Sequence, residues 1–181
     1  MIHSMIANTI KLFFVLAALA AAHVHAQAVV NGHNLSFDGL NSATLVGEDG
    51  LILVTTNRGA GWSFQNSGMT NVLYGHSHLN KTGLIAGENG VIARTIDNGR
   101  NWTVIPACIY SDLKDIHLMS NGRSIACGDN GRILISEDWG ETWYLSRVTE
   151  VHNFNDLEFI SNEIGFIAGD YGSLLKTTDG G

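Results

Sequence analysis

Two acidic residues are the first candidates for chemistry. Asp115 and Asp156 lie 41 residues apart and sit in similar runs, Asp115-Ile116-His117-Leu118 and Asp156-Leu157-Glu158-Phe159. Two carboxylates at a suitable separation are what glycoside hydrolysis requires, one as acid and one as nucleophile or base. The competing reading is structural: one aspartate, repeated, bonding backbone N–H groups at the start of a strand. Repetition favours the structural reading, because catalysis breaks symmetry whereas packing repeats. His76-Ser77-His78 puts two imidazoles on one face of a strand, the spacing of a metal pair. No Cys or further His stands nearby to complete a ligand set. No catalytic residue, metal or cofactor is therefore expected.

The elements that must carry these residues announce themselves by repetition. A phrase reads Gly47-Glu48-Asp49-Gly50, Gly87-Glu88-Asn89-Gly90, Gly128-Asp129-Asn130-Gly131 and Gly169-Asp170-Tyr171-Gly172, returning after 40, 41 and 41 residues. A second phrase keeps the same beat: Thr55-x-Asn57-x-Gly59-x-x-Trp62, Thr95-x-Asp97-x-Gly99-x-x-Trp102 and Ser136-x-Asp138-x-Gly140-x-x-Trp143, with Thr177 and Asp179 opening a fourth copy. Such a period means one supersecondary unit copied, and only a stack of units buries a core.

One unit reads as four strands, Leu113–Met119, Ser124–Gly128, Arg132–Ser136 and Thr142–Val148. Asn130-Gly131 joins the second and third, because a type I′ hairpin turn needs positive φ at both central positions. Third strands such as Ile133-Leu134-Ile135 are apolar on both faces, as expected of a sheet covered on each side. Together these features predict an all-β chain, a β-propeller of four-stranded antiparallel blades of about 40–41 residues. The second phrase falls between the third and fourth strands. Its Asp accepts N–H bonds within its own turn, its Gly takes positive φ and its Ser or Thr hydroxyl adds a local bond. Each tryptophan is expected between blades. Burying ~150–250 Å² of ring at ~25 cal/mol/Å² gives roughly 4–6 kcal/mol gross, an upper bound.

The chain has 181 residues and a net charge of −7. Its 10 Lys and Arg are scattered among 17 acids, which excludes the clustered basic face of a nucleic-acid binder. Lys11, the apolar run Leu12–Ala22 and the small-residue pattern Val24-His25-Ala26 read as a cleaved leader over residues 1–26. That run is too short to span a bilayer. The mature protein, 27–181, is expected to be exported, periplasmic or secreted, with no stable membrane span. Cys108 and Cys127 then form a candidate disulfide. The acids before each hairpin turn, Glu48, Glu88, Asp129 and Asp170, fall on one rim. Trp139 is exposed by position, either a contact residue or an isolated surface aromatic. The fourth unit stops inside its second phrase, so the propeller is expected to be incomplete, about four blades with the last truncated.

The Ser/Thr-x-Asp-x-Gly-x-x-Trp phrase is the Asp-box, or BNR repeat. Combined with the Gly-acid-Asn-Gly hairpin, it resembles the photosystem II assembly and stability factor family from about Leu35 onward. The first unit departs, with Asn57 in place of the aspartate. The resemblance implies a seven-bladed propeller without enzymatic activity that binds a protein partner, a photosystem II subunit on the lumenal side where the host is photosynthetic. Other Asp-box propellers are sialidases, which hold a substrate carboxylate with arginines from the innermost strands. Here the first strands, Val72–His78, Leu113–Met119 and Phe154–Ile160, contain no arginine. The alternative class is a carbohydrate-active or glycan-binding propeller, for which Asp115 and Asp156 would need an aromatic platform from residues such as Tyr74, Tyr110 or Phe154.

Overall fold

The computed structural model describes residues 31–37, 40–146 and 151–181. The expected leader and Arg147–Val148 lie outside these residues. Four antiparallel sheets follow one another along the chain, with strands hydrogen-bonded in sequence order. Blade I holds β1 (Gly32–Phe37), β2 (Ala43–Gly47), β3 (Ile52–Thr55) and β4 (Ser63–Phe64). Blade II holds β5 (Leu73–Leu79), β6 (Thr82–Gly87), β7 (Ile92–Thr95) and β8 (Thr103–Ile105). Blade III holds β9 (Leu113–Leu118), β10 (Ser124–Gly128), β11 (Ile133–Ser136) and β12 (Tyr144–Leu145). Blade IV has three strands, β13 (Phe154–Phe159), β14 (Gly165–Gly169) and β15 (Leu174–Thr177). The first strands β1, β5, β9 and β13 touch in order, so they form the inner wall of an incomplete propeller.

The hairpin turns are type I′, as the Asn-Gly pairs require. Asn89 has φ 56° and ψ 31°, Asn130 φ 60° and ψ 32°, and Gly90 and Gly131 follow at φ 72° and 65°. The first glycine of each phrase has a different cause. Gly128 is extended at φ −178°, a conformation open to any residue. A Cβ there would overlap the Asp112 carbonyl oxygen and lie 2.7 Å from the Leu113 Cα. Gly47, Gly87 and Gly169 meet the equivalent carbonyls of Asn31, Val72 and Asn153. The hairpin thus presses backbone to backbone on the start of its own inner strand, and Asp129 N donates to Asp112 O at 2.9 Å. The turn also reaches the next blade: Asn89 N donates to Asp112 Oδ1, and Asn130 N to Asn153 Oδ1, both at 2.9 Å.

The core lies in the seams between blades. Leu84 and Ile92 of blade II pack with Leu113, Ile116 and Leu118 of blade III, and Trp143 lies against them. Val46 and Ile52 pack with Leu73 and Ile85, with Trp102 alongside. Trp62 packs on Leu45 and Leu53, on the other face of blade I. The three indoles therefore take equivalent places, each half-buried on the side of its blade that faces the preceding one. In the III–IV seam that place is an apolar cavity of about 130 Å³ lined by Ile125, Ile135, Phe159 and Ile167. Ile52 and Leu53 are both buried, which explains the two-faced apolar pattern of β3. In blade IV, by contrast, Leu174 is 67% exposed, because no described residue covers its outer face.

One strand expectation needs correction. The fourth strand of blade III starts at Tyr144 rather than Thr142 and is Tyr144–Leu145 among the described residues, with Ser146 N still donating to Ile133 O at 2.8 Å. A perimeter strand pairs on one side only, and both residues are exposed. The first strand of blade I runs over six residues, Gly32–Phe37, with a register shift between Gly32 and Asn34, although its sequence alternates little. Register with β2, from Asn34↔Val46 to Phe37↔Ala43, supplies the order that its composition does not.

Candidate functional site

Two rims flank the blades. One carries the Asp-box turns and the other the hairpin turns. In the Asp-box of blade III, Ser136 Oγ donates to Asp138 Oδ1 at 2.8 Å and accepts Gly140 N at 2.9 Å. Asp138 also accepts Thr142 N at 2.9 Å and Thr142 Oγ1 at 2.6 Å. Blade II repeats this with Thr95, Asp97, Gly99 and Asn101. In blade I, Asn57 Oδ1 takes the same role, accepting Thr55 Oγ1 and Gly61 N. In blade IV, Thr177 Oγ1 donates to Asp179 Oδ1 at 2.7 Å. Gly59, Gly99 and Gly140 all stand at positive φ, 82°, 78° and 80°. These bonds hold Asp97 and Asp138 down at about 2, through Asn101 foremost for the first and Thr142 for the second. Ser136 and Asp138, like Thr95 and Asp97, spend these side-chain bonds inside the turn, so the boxes act as clasps. Trp139 projects from the blade III box onto Gly122, and its backbone N–H donates to Gly122 O at 2.8 Å.

Asp115 and Asp156 sit at the same rung of adjacent inner strands, opposite Cys127 and Ala168. Their roles differ. Asp115 accepts Ile116 N at 2.9 Å and, across the seam, Leu157 N at 3.0 Å. Burial, reinforced by the nearby Asp156 charge, raises its carboxyl to about 7. Asp156 is exposed. The equivalent position in blade II is Gly75, where a Cβ would lie 2.7 Å from the Asp115 Cα, and in blade I it is Asn34. Asp115 is therefore tied to backbone on two strands, an interblade link.

The hairpin rim is the more varied surface. The residue just before the Asp115 rung is His33, Tyr74, Lys114 or Asn155 in successive blades. Lys114 Nζ lies 4.1 Å from the centre of the Tyr74 ring, 2.9 Å from Asp112 Oδ2 and 3.6 Å from Asp129 Oδ2. Partial burial opposes its charge, but Asp112 and Asp129 outweigh this and raise its pKa. Burial likewise raises Tyr74, with the Asp112 charge adding to it against Lys114. His33 meets the Tyr74 ring edge-on at 5.4 Å, and Asn155 Nδ2 donates to Asp170 Oδ1 at 2.8 Å. Tyr110 and Tyr171 flank this rim, each 92% exposed. Motif reading overlooked the group. The signal lay in the repeat itself, as a position whose neighbours recur while its own residue type changes.

Cys108 and Cys127 are unbonded, contrary to the pairing considered from sequence. Ala107 and Ile109 pack in the II–III seam, whereas Cys127 is buried in the III–IV seam, so the blade III sheet stands between the two thiols. Burial raises the Cys127 thiol well above its usual value. His76 and His78 share a seam, ring centres 6.1 Å apart, and no group of three or more metal-ligating side chains occurs among the described residues.

Comparison with known proteins agrees with this geometry. The sequence profile described as "Photosynthesis system II assembly factor YCF48" matches residues 107–178. No curated protein sequence matches the chain. Among solved structures, YCF48 bound to D1 peptide superposes with a TM-score of 0.64 at 19% identity, covering 86% of this chain and 57% of that one. YCF48 from Cyanidioschyzon merolae gives 0.70 at 14% identity, with 89% and 54% covered. The GH74 xyloglucanase from Xanthomonas campestris gives 0.65 at 13% identity, with 82% and 29% covered. Identities this low establish the propeller fold, and the chain spans about half the length of the YCF48 structures it matches. Residues 107–178, about two-fifths of the chain, are thus similar to that assembly-factor profile, and they span blades III and IV.

Proposed function

We propose that this chain is an exported, non-enzymatic propeller that binds a segment of another protein on its hairpin rim. The partner is a photosystem II subunit of the D1 type where the host is photosynthetic. The observation that carries this reading is the joint likeness, by sequence profile over residues 107–178 and by fold, to a factor whose structure holds a D1 peptide. The rim supports it. Its changing side chains, His33, Tyr74, Lys114 and Asn155, stand on a frame whose turns are locked by repeated bonds, the usual division between scaffold and recognition. Tyr74 and Lys114 offer an aromatic face and a cation held in place by two carboxylates. The leader pattern of residues 1–26 supports export and a lumenal or periplasmic location.

The test is fluorescence anisotropy of a labelled D1-derived peptide titrated with the full chain. Saturable binding is expected, at least tenfold weaker for the Tyr74→Ser/Lys114→Ser variant at unchanged Tm. Equal affinity for a scrambled peptide would refute the reading. The GH74 neighbours give a glycosidase reading its own check. Release of reducing sugar from xyloglucan, lost in Asp156→Asn, would replace the scaffold with an enzyme. Asp115 argues against that outcome, since both its oxygens already accept backbone N–H groups.

A further inference from the structure

The repeat is broken in one seam. At the rung where blades II and III place Leu84 and Ile125, blade I places Thr44. Facing it, inner-strand positions that are Ile116 and Leu118 in blade III, and Leu157 and Phe159 in blade IV, are His76 and His78 in blade II. Seam II–III is closed by aliphatic packing at these positions, and seam III–IV keeps an apolar cavity there. Seam I–II instead opens a cleft of about 230 Å³. Thr44, Thr56, His76, His78, Asn80 and Trp102 line it, and Ser36 Oγ is hydrogen-bonded to His76 Nδ1 across the seam.

Three properties of the cleft define what it takes. First, no carboxylate, ammonium or guanidinium lines it among the described residues, so a charged ligand would find there no fixed counter-charge to offset its lost hydration. Second, its hydroxyl, amide and imidazole groups both donate and accept, which suits a ligand dense in hydroxyls. Third, an indole forms one wall. In the next seam Trp143 Nε1 donates to Gly140 O at 3.1 Å, whereas Trp102 Nε1 is buried with no such partner among the described residues. Polar groups in place of a repeat's own apolar residues are departures from the copied packing, and such departures concentrate at functional sites. We propose that the I–II seam is a binding site for a neutral carbohydrate, with room for one sugar ring, on the Asp-box side of the molecule and away from the hairpin rim.

The experiment restores the repeat. In Thr44→Leu/His78→Leu, both positions take the residues of seam II–III, which fills the cleft with its native neighbours' chemistry. Full-length wild-type and variant chains are melted with a panel of methyl hexosides, and binding is followed by saturation-transfer NMR. At about ten times the Kd, a glycoside is expected to raise the wild-type Tm by about 3–5 °C and to leave the variant unmoved, while the variant without ligand melts no lower than wild type. A second variant, Trp102→Phe, is expected to weaken the same glycoside at least fivefold. No shift with any glycoside overturns the proposal. So does an equal shift in wild type and Thr44→Leu/His78→Leu, or a response only to zinc(II) or inorganic phosphate. None of these results bears on peptide binding at the opposite rim.

Discussion

The contact beneath the first glycine of each hairpin phrase can be tested by a single methyl group. In Gly128→Ala the added Cβ would lie 2.7 Å from the Leu113 Cα and 2.9 Å from the Asp112 carbonyl carbon, with the carbonyl oxygen closer still. Carbon atoms rest at ~3.5–4.0 Å, so the hairpin must lift by about 1 Å. Both sides of the contact are backbone, and no rotamer change can absorb the shift. Overpacking of this kind costs about 1–3 kcal/mol. Lifting also breaks the 2.9 Å bond from Asp129 N to Asp112 O, leaving a donor and an acceptor short of partners for about 1–3 kcal/mol more. The expected loss is therefore about 2–6 kcal/mol. Gly68→Ala is the control. Gly68 has φ +67° with nothing within 4 Å of a Cβ, so it carries only the left-handed penalty of about 1–2 kcal/mol. Urea unfolding followed by tryptophan fluorescence measures both. Should Gly128→Ala cost no more than Gly68→Ala, the close approach of hairpin and inner strand is wrong. Gly87→Ala, its counterpart one blade earlier, should behave like Gly128→Ala.

Three carboxylates set two opposite pH limbs. Asp138 and Asp97 are held near 2 by their turn bonds, below the unfolded value. Their contribution is complete above about pH 4 and disappears as pH falls towards 2, which acid titration of the urea midpoint will show. Asp115 is raised to about 7 by burial, above its unfolded value. The folded state keeps a proton that the unfolded chain has lost, so stability falls as pH rises from about 4 to 7. Asp115→Asn should flatten that second limb and leave the first intact. Seam position also grades the indoles: Trp143→Ala, which opens the II–III core, should cost about 3–5 kcal/mol. Trp62→Ala, packed only on blade I residues, should cost less by at least 1 kcal/mol in the same assay.

What was legible from sequence was whatever repeats. The 40- or 41-residue beat fixed the blades, because each unit solves the same local problem: a type I′ turn at Asn130-Gly131 and a clasp at Ser136-Asp138-Gly140. Solutions built from neighbours in the chain leave their signature in spacing. Contacts between units leave none. Nothing near Gly128 in sequence says that the Asp112 carbonyl lies under it, so its glycine reads as turn chemistry when it is close approach. The thiols show the same limit. Cys108 and Cys127 stand near one rim in a strand diagram, but the pleat sends Cys127 into the III–IV seam, away from the II–III side where Ala107 and Ile109 pack. The fourth strand failed for a third reason. Its β-branched Thr142 reads as strand, yet pairing with β11 starts only at Tyr144, because Asp138 holds Thr142 in the clasp.

The same reasoning says where recognition should be sought. A copied blade carries the same residue at a position for as long as that position serves packing, turn or clasp. Leu73, Leu113 and Phe154 hold one such place, and Thr55, Thr95, Ser136 and Thr177 another. A position that changes chemical class from blade to blade is released from those duties unless its side chain is bonded back into the frame. The rung of His33, Tyr74, Lys114 and Asn155 is one, and it faces the hairpin rim. The Thr44–His76–His78 group is the second, and it faces the Asp-box side. Asp115 and Asp156 do not qualify, although carboxylates are the more familiar sign of chemistry. Asp115 spends its oxygens on Ile116 and Leu157 and so serves the frame. In a repeat protein the informative residue is the one that the copying left different. Both proposed sites rest on that difference, at opposite ends of the same blades.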